Sequence, residues 1–216
     1  MKKSLAVGLL LGAALVPLLQ GCLPLLAAGA SGSALAAFDR RSLGTQTDDE
    51  TIEWKASARV GEKSWDDVHA NFTSFGRRVL VTGEVPEQSV KAEVERIVAG
   101  VPQVQAVYNE LAVGPVTSFS TRSNDSYITS RVKGRFVDSG KFNAIHVKVV
   151  TEDGVVYLLG LVTQSEAEAA IQVARTTSGV KKVVTLLEVI PEAKARELDV
   201  RLPEPTPPPT PPASGG

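Results

Sequence analysis

The chain has 216 residues, 43% hydrophobic and 22% charged, with 23 basic and 24 acidic side chains and a formal net charge of −1. So even a balance gives no bulk attraction to nucleic acid. A single cysteine excludes an intrachain disulfide framework.

At the N-terminus, Met1-Lys2-Lys3, an apolar run from Leu5 to Leu19 and then Gln20-Gly21-Cys22 read as a basic region, a hydrophobic region short for a bilayer span, and a small residue before a cleavage point. Leu19-Gln20-Gly21-Cys22 resembles a bacterial lipobox, in which the thiol is acylated and becomes the new N-terminus. Residues 1–21 are therefore read as a lipoprotein signal peptide and Cys22 as the lipidation site. Leu23, rather than aspartate, follows the cysteine, which in lipoproteins of this kind goes with the outer membrane. Cleavage would remove Lys2 and Lys3 and no acid, taking the formal charge from −1 to −3. Residues 22–47 read as a lipid-anchored tether, with a root-mean-square reach of about 28 Å and a drawn-out limit of about 90 Å.

The chain then repeats itself. Val79-Leu80-Val81-Thr82-Gly83-Glu84-Val85 and Val156-Tyr157-Leu158-Leu159-Gly160-Leu161-Val162 are two versions of one strand, each followed by a helical stretch and a valine-rich strand. In the first unit, residues 48–113, Asp48 or Asp49 is expected to cap a helix carrying Ile52, Ala56 and Val60. Strands 68–75 and 78–85 are joined across Gly76, Pro86 and Glu87 open a second helix with Val90, Val94, Ile97 and Val98 on one stripe, and residues 104–113 close the unit. Residues 114–123 are a linker. The second unit, residues 124–190, follows the same grammar. Asn124 or Asp125 is expected to cap a helix with Ile128, Val132 and Phe136, strands 144–151 and 155–162 turn on Glu152-Asp153-Gly154, a helix covers 165–177 and a strand covers 181–190. Residues 191–216 are read as a disordered proline-rich tail, with at most a charged helical turn or two before the prolines begin.

The fold class is thus α+β: two tandem αββαβ domains, each a three-stranded mixed sheet with two helices on one face, between a lipidated tether and a disordered tail. Units of about 65 residues sit near the lower limit for an independent core, so the copies are expected to pack together, with Trp54 placed at their interface. Gly83 and Gly160 are read as structural glycines, at positions where a side chain would collide with the overlying helix or force an unfavourable φ.

Catalysis finds little to work with. His69 and His146 are single histidines in strand-like segments, read as non-equivalent between the repeats and as structural or surface residues rather than ligands. Asp48-Asp49-Glu50 is explained by a helix start. The sequence contains no phosphate loop, Cys-x-x-Cys or His-x-x-x-His, so no enzyme activity, metal, cofactor or small-molecule substrate is expected.

The copies differ in charge. Arg122 to Lys141 carries +3, against −2 for the matching stretch Gln46 to Trp65. At roughly 1 kcal/mol per basic residue near an anionic bilayer, +3 is worth about 3 kcal/mol, on the order of a hundredfold in partition. On a helical wheel Tyr127, Ser130, Arg131 and Gly134 share a face distinct from the Ile128, Val132 and Phe136 stripe, with Lys133 and Arg135 adding charge. An aromatic with a polar tip, cations for phosphate and a glycine allowing close approach suit an interfacial contact, so these six residues are the candidate phospholipid site. Attachment through Cys22 would make that contact effectively intramolecular.

Two αββαβ units with the strand-end glycines Gly83 and Gly160 resemble BON domains. Arg41 to Asp49, Val107-Tyr108-Asn109-Glu110, Ser123 to Thr129, Val147-Lys148-Val149 and Gly160-Leu161-Val162-Thr163 are similar to the two-domain outer-membrane lipoproteins of that family. The resemblance spans roughly residues 1–190. It implies a periplasm-facing, outer-membrane-anchored protein that binds anionic phospholipid such as phosphatidylglycerol through its second domain, supports envelope integrity and is enriched at division sites. Tyr127 stands where a relative in the family carries tryptophan, a larger interfacial anchor. The alternative reading is an adaptor whose partners are envelope proteins.

Overall fold

The structure, a computed structural model, describes residues 39–200. The signal peptide, Cys22, most of the tether and residues 201–216 lie outside the described residues. Helix α1 (Leu43–Gly61) is followed by strands β1 (His69–Phe75) and β2 (Arg78–Val85), helix α2 (Gln88–Ala99) and the short strands β3 (Ala106–Asn109) and β4 (Ala112–Val113). The second copy contributes α3 (Phe119–Ser139), β5 (Val147–Glu152), β6 (Val155–Val162), α4 (Gln164–Arg175) and β7 (Lys182–Val189), and α5 (Glu192–Val200) ends the described chain.

Each sheet has its long strand in the middle. β2 runs antiparallel to β1 and parallel to β3 and β4, and β6 runs antiparallel to β5 and parallel to β7. Both hairpins are two-residue turns, Gly76-Arg77 and Asp153-Gly154, with positive φ at every turn residue, the conformation that suits the twist of paired strands.

The long helices begin earlier than their acidic residues suggest. Ser42 and Ser118 are the N-caps, each accepting the backbone N–H three residues on, so the caps expected at Asp48 or Asp49 and at Asn124 or Asp125 are displaced by six or seven residues. Helix therefore begins at Leu43, inside the segment read as tether, with Arg40 before it already buried, and the linker gives way to helix at Phe119. The buried aspartates hold the hairpins from within the helices. Asp49 accepts the Gly76 and Arg77 backbone N–H groups at 2.8 and 2.7 Å, and Asp125 accepts those of Asp153 and Gly154 at 2.9 and 2.8 Å.

On one face of each sheet the two helices close a core, Ile52, Ala56, Val79, Val81 and Val94 in the first and Ile128, Val132, Phe136, Val156 and Leu158 in the second. The other faces pack on each other: Phe75 and Leu80 meet Tyr157 and Leu159, with Tyr108 and Leu186 at the margin. Lys148 of β5 donates to Glu53 of α1 at 2.9 Å, and Arg78 pairs with Glu188 across the same seam. Because the sheets face each other, the helices lie outermost. Trp54, opposite the α1 core stripe, is consequently 71% exposed rather than at the interface.

The strand glycines answer a close approach of backbone, not of helix. A Cβ at Gly83 would lie 2.0 Å from the His69 carbonyl oxygen, and one at Gly160 would lie 2.3 Å from that of His146. Gly83 also has φ of +116°. Ala70 pairs with Gly83 and Val147 with Gly160, so His69 and His146 occupy equivalent positions, contrary to the expectation from sequence.

The tail reading also needs correction, because residues 192–200 are helical with Ala195 buried. The buried Arg40 side chain donates to Glu166 at 2.6 Å, to Asp199 at 2.8 Å and to the Leu161 carbonyl at 3.0 Å, tying the start of the described chain to its end. The Arg40 hydrogen bond holds the Asp199 carboxyl below its ordinary pKa, and the same guanidinium outweighs burial to lower that of Glu166. His146 alongside is lowered by burial and by facing Arg40. All three shifts give one sign: the unfolded chain takes up protons before the folded one, so the clamp contributes fully at neutral pH. It weakens from about pH 6.5 through His146, and further below about pH 4 through the carboxylates. Amide-exchange protection across α5 is expected to fall over that range while that of α4 persists. Arg40→Gln should lower α5 protection at pH 7 by about tenfold or more.

Candidate functional site

Helix α3 is 21 residues, about 30 Å of continuous helix. Asp125, Ile128, Val132 and Phe136 turn inward, while Phe119, Tyr127 and Val137 are 78%, 60% and 69% exposed. With Tyr127 at zero on a 100° wheel, Phe119 and Val137 both fall near −80°, Ser130 near −60°, Gly134 near −20° and Arg131 near +40°. Three apolar side chains thus lie along one outward face over about 27 Å. Phe119 precedes Asn124, where the sequence pattern starts the helix, and Val137 lies within that helix but outside the six candidates. Recognition of Ser118-Phe119-Ser120-Thr121 as a capping segment would have brought Phe119 onto the face.

The charged candidates divide. The Arg131 guanidinium lies 5.6 Å from the centroid of the Tyr127 ring, a cation–π distance, and both side chains are exposed. Among the described residues neither Arg131 nor Lys133 forms an ion pair. Ser130 is exposed and its hydroxyl donates back to the Ser126 carbonyl at 3.0 Å, leaving its lone pairs outward. A Cβ at Gly134 would meet nothing within 4 Å. Arg135 departs from the group. It is half-buried and donates to the Val173 carbonyl at 3.1 Å, Thr177 Oγ1 at 2.8 Å and Thr176 Oγ1 at 3.1 Å, capping the end of α4. In the first copy Arg59 does the same for α2, donating to the Gly100 carbonyl at 2.7 Å. Arg135 is a structural residue repeated in both halves.

Beside α3 a groove of about 510 Å³ runs along the seam between the two copies, lined by His69, Asn71, Arg122, Ser126, Ser130 and Glu152 among others. No helix among the described residues is long and apolar enough to cross a membrane.

The BON domain model matches residues 48–115 and 124–191, the two αββαβ units. The chain belongs to the BON-domain family. It is 42% identical over 190 residues to Outer membrane lipoprotein DolP of Haemophilus influenzae, an alignment covering 87% of this chain and 96% of the relative. It is 32% identical to the 21 kDa hemolysin of Actinobacillus pleuropneumoniae, over 70% of this chain and 79% of that one. Osmotically-inducible protein Y of Escherichia coli is 29% identical over 65% of this chain and 72% of its own.

Superposing the roles of Asp49 and Asp125 aligns the two BON domains and isolates their difference. Where the second presents Phe119, Tyr127 and Val137, the first has Leu43, Thr51 and Gly61, and Glu50 and Glu53 replace Ser126 and Thr129. The fold elements and the Arg caps are common to both; α1 sets the exposed Trp54 where α3 has Ser130, but among acidic neighbours, whereas exposed aromatics combined with net positive charge belong to the second BON domain.

Proposed function

We propose that this BON-domain protein is a lipoprotein acylated at Cys22, held on the periplasmic face of the outer membrane, whose second BON domain docks on anionic phospholipid through α3. The single observation that carries the reading is the outward face of α3, on which Phe119, Tyr127 and Val137 stand exposed beside the unpaired cations Arg131 and Lys133. A helix lying in the headgroup plane uses such a face: apolar side chains enter the acyl boundary, cations meet phosphate, and the tyrosine hydroxyl stays at the wet edge. The lipobox-like leader and the likeness to an outer membrane lipoprotein of Haemophilus influenzae support the address. No covalent chemistry is assigned to the protein; its contribution to envelope integrity, including at division sites where anionic lipid concentrates, is adhesive.

Flotation with phosphatidylglycerol-containing and purely zwitterionic vesicles tests this. Anionic vesicles should carry a form beginning at Asp39, which lacks Cys22 and its acyl chains, and zwitterionic ones should not. Arg131→Glu reverses one charge, about 2 kcal/mol or roughly thirtyfold in partition, and Tyr127→Glu should be similarly damaging. Trp54→Glu and Lys55→Glu, on the first domain, should leave binding unchanged. Equal recovery with both vesicle types would instead favour a protein-binding adaptor, to which the exposed Trp54 and Leu43 of α1 would be the natural docking residues.

A further inference from the structure

At one end of the seam between the BON domains, a ligand atom from each of His69, Glu84 and Glu152 lies within 4.8 Å of the other two. Glu84 is 4% and Glu152 9% exposed, yet among the described residues neither forms an ion pair with lysine or arginine. The carboxylates elsewhere in the two domains have fixed compensation. Asp49 has Arg41 and two backbone N–H groups, Asp125 has two backbone N–H groups, and Glu166 has Arg40. Glu84 has His69 Nδ1 at 3.0 Å and the Thr117 N–H and hydroxyl at 3.2 and 3.3 Å, whereas Glu152 has the Asn71 amide at 3.0 Å. Arg122, which lines the same groove, is committed to the Thr117 carbonyl.

A second observation points into this cluster. Thr82 Oγ1, on a side chain 1% exposed and cross-strand from Asn71, the residue that donates to Glu152, has no hydrogen-bond partner among the described residues. Two carboxylates in a low-dielectric seam, a histidine and an unsatisfied hydroxyl are a set that lacks a cation.

We infer that the seam binds one divalent ion of the zinc type on His69, Glu84 and Glu152. An imidazole nitrogen with two carboxylates suits zinc, whereas magnesium and calcium favour all-oxygen shells. The groove gives the ion a route from solvent. His69 and Glu84 belong to the first BON domain and Glu152 to the second, so the ion would bridge them and add to the contacts that hold the sheets together.

The test is titration of the full-length chain, purified in detergent and stripped with EDTA, with zinc sulfate, followed by calorimetry and by thermal unfolding. One zinc per chain should bind with a dissociation constant of about 10 µM or tighter. A hundredfold excess over that constant should raise the melting temperature by about 5–10 °C. Glu152→Gln keeps the size and polarity of the side chain, and in EDTA it should melt no lower than the parent, because it removes a poorly compensated charge. Glu152→Gln and His69→Gln should each weaken zinc at least tenfold and abolish the thermal shift. Absence of binding at 100 µM zinc, undiminished binding in both variants, or displacement of zinc by an equal concentration of magnesium would overturn the proposal.

Discussion

Gly160→Ala should lower the melting temperature of the protein by about 6–12 °C, corresponding to a loss of about 3 kcal/mol or more. The new methyl would sit 2.3 Å from the His146 carbonyl oxygen and 3.2 Å from Leu187 Cδ2. The leucine can rotate away, but the carbonyl belongs to the backbone leading into β5. Moving it disturbs the register in which Val147 faces Gly160. Gly83→Ala should be worse, because its Cβ would come within 2.0 Å of the His69 oxygen and its φ of +116° adds about 1–3 kcal/mol of strain for any residue with a side chain. The control is Gly134→Ala, which places a methyl in open space on α3 and should raise stability by about 0.5–1 kcal/mol. Thermal melts of the three variants decide it. If Gly134→Ala and Gly160→Ala behaved alike, the carbonyl contact would not be the cause.

The second large effect is expected from the aspartates that hold the hairpins. Asp49→Ala would strand the buried Ser74 hydroxyl, which donates to it at 2.6 Å, together with the Gly76 and Arg77 N–H groups, and would leave the Arg41 guanidinium with Asp39 alone. At about 1–3 kcal/mol for each buried donor left without a partner, a loss of about 3–5 kcal/mol follows even if water rescues some of them. Asp125→Ala strands only the two backbone donors of Asp153 and Gly154, and should cost about 2–4 kcal/mol. Asparagine at either place retains one acceptor oxygen and should recover part of the loss. Chemical denaturation midpoints should therefore rank Asp49→Ala below Asp125→Ala, with each asparagine variant above its alanine counterpart. The reverse order would mean that the hairpins are held by their turn residues alone.

Much of this architecture is legible in the sequence, for identifiable reasons. The strands around Gly83 and Gly160 and the turns at Gly76 and Gly154 use residue types with few structural alternatives, and β2, β6 and both hairpins lie where the pattern places them. What periodicity does not reveal is what covers a second apolar face. Leu80 and Leu159 signal burial on both sides of their strands, but nothing local says that the partner is the other sheet rather than Trp54. The aspartates misled for a different reason: an acid near a helix start is ambiguous between capping and a long-range role, and Asp49 and Asp125 take the latter. Helix α5 was hidden because its support comes from Arg40, 159 residues from Asp199 in sequence. For the candidate site, Tyr127, Ser130, Arg131 and Gly134 lie outward as the wheel places them, and Lys133 is exposed as well, whereas Arg135 is drawn inward by a carbonyl and two threonine hydroxyls at the end of α4 that no wheel displays.

The back-to-back sheets bear on how any deletion of a single repeat is interpreted. Removing one BON domain would strip the cover from Leu80 and Phe75, or from Tyr157 and Leu159, and leave a raw apolar slab on the survivor. Such a fragment is half a sandwich rather than a module. Its failure in cells would report on stickiness and proteolysis before it reported on ligand recognition, so dissection of this protein belongs to point changes on its outer helices.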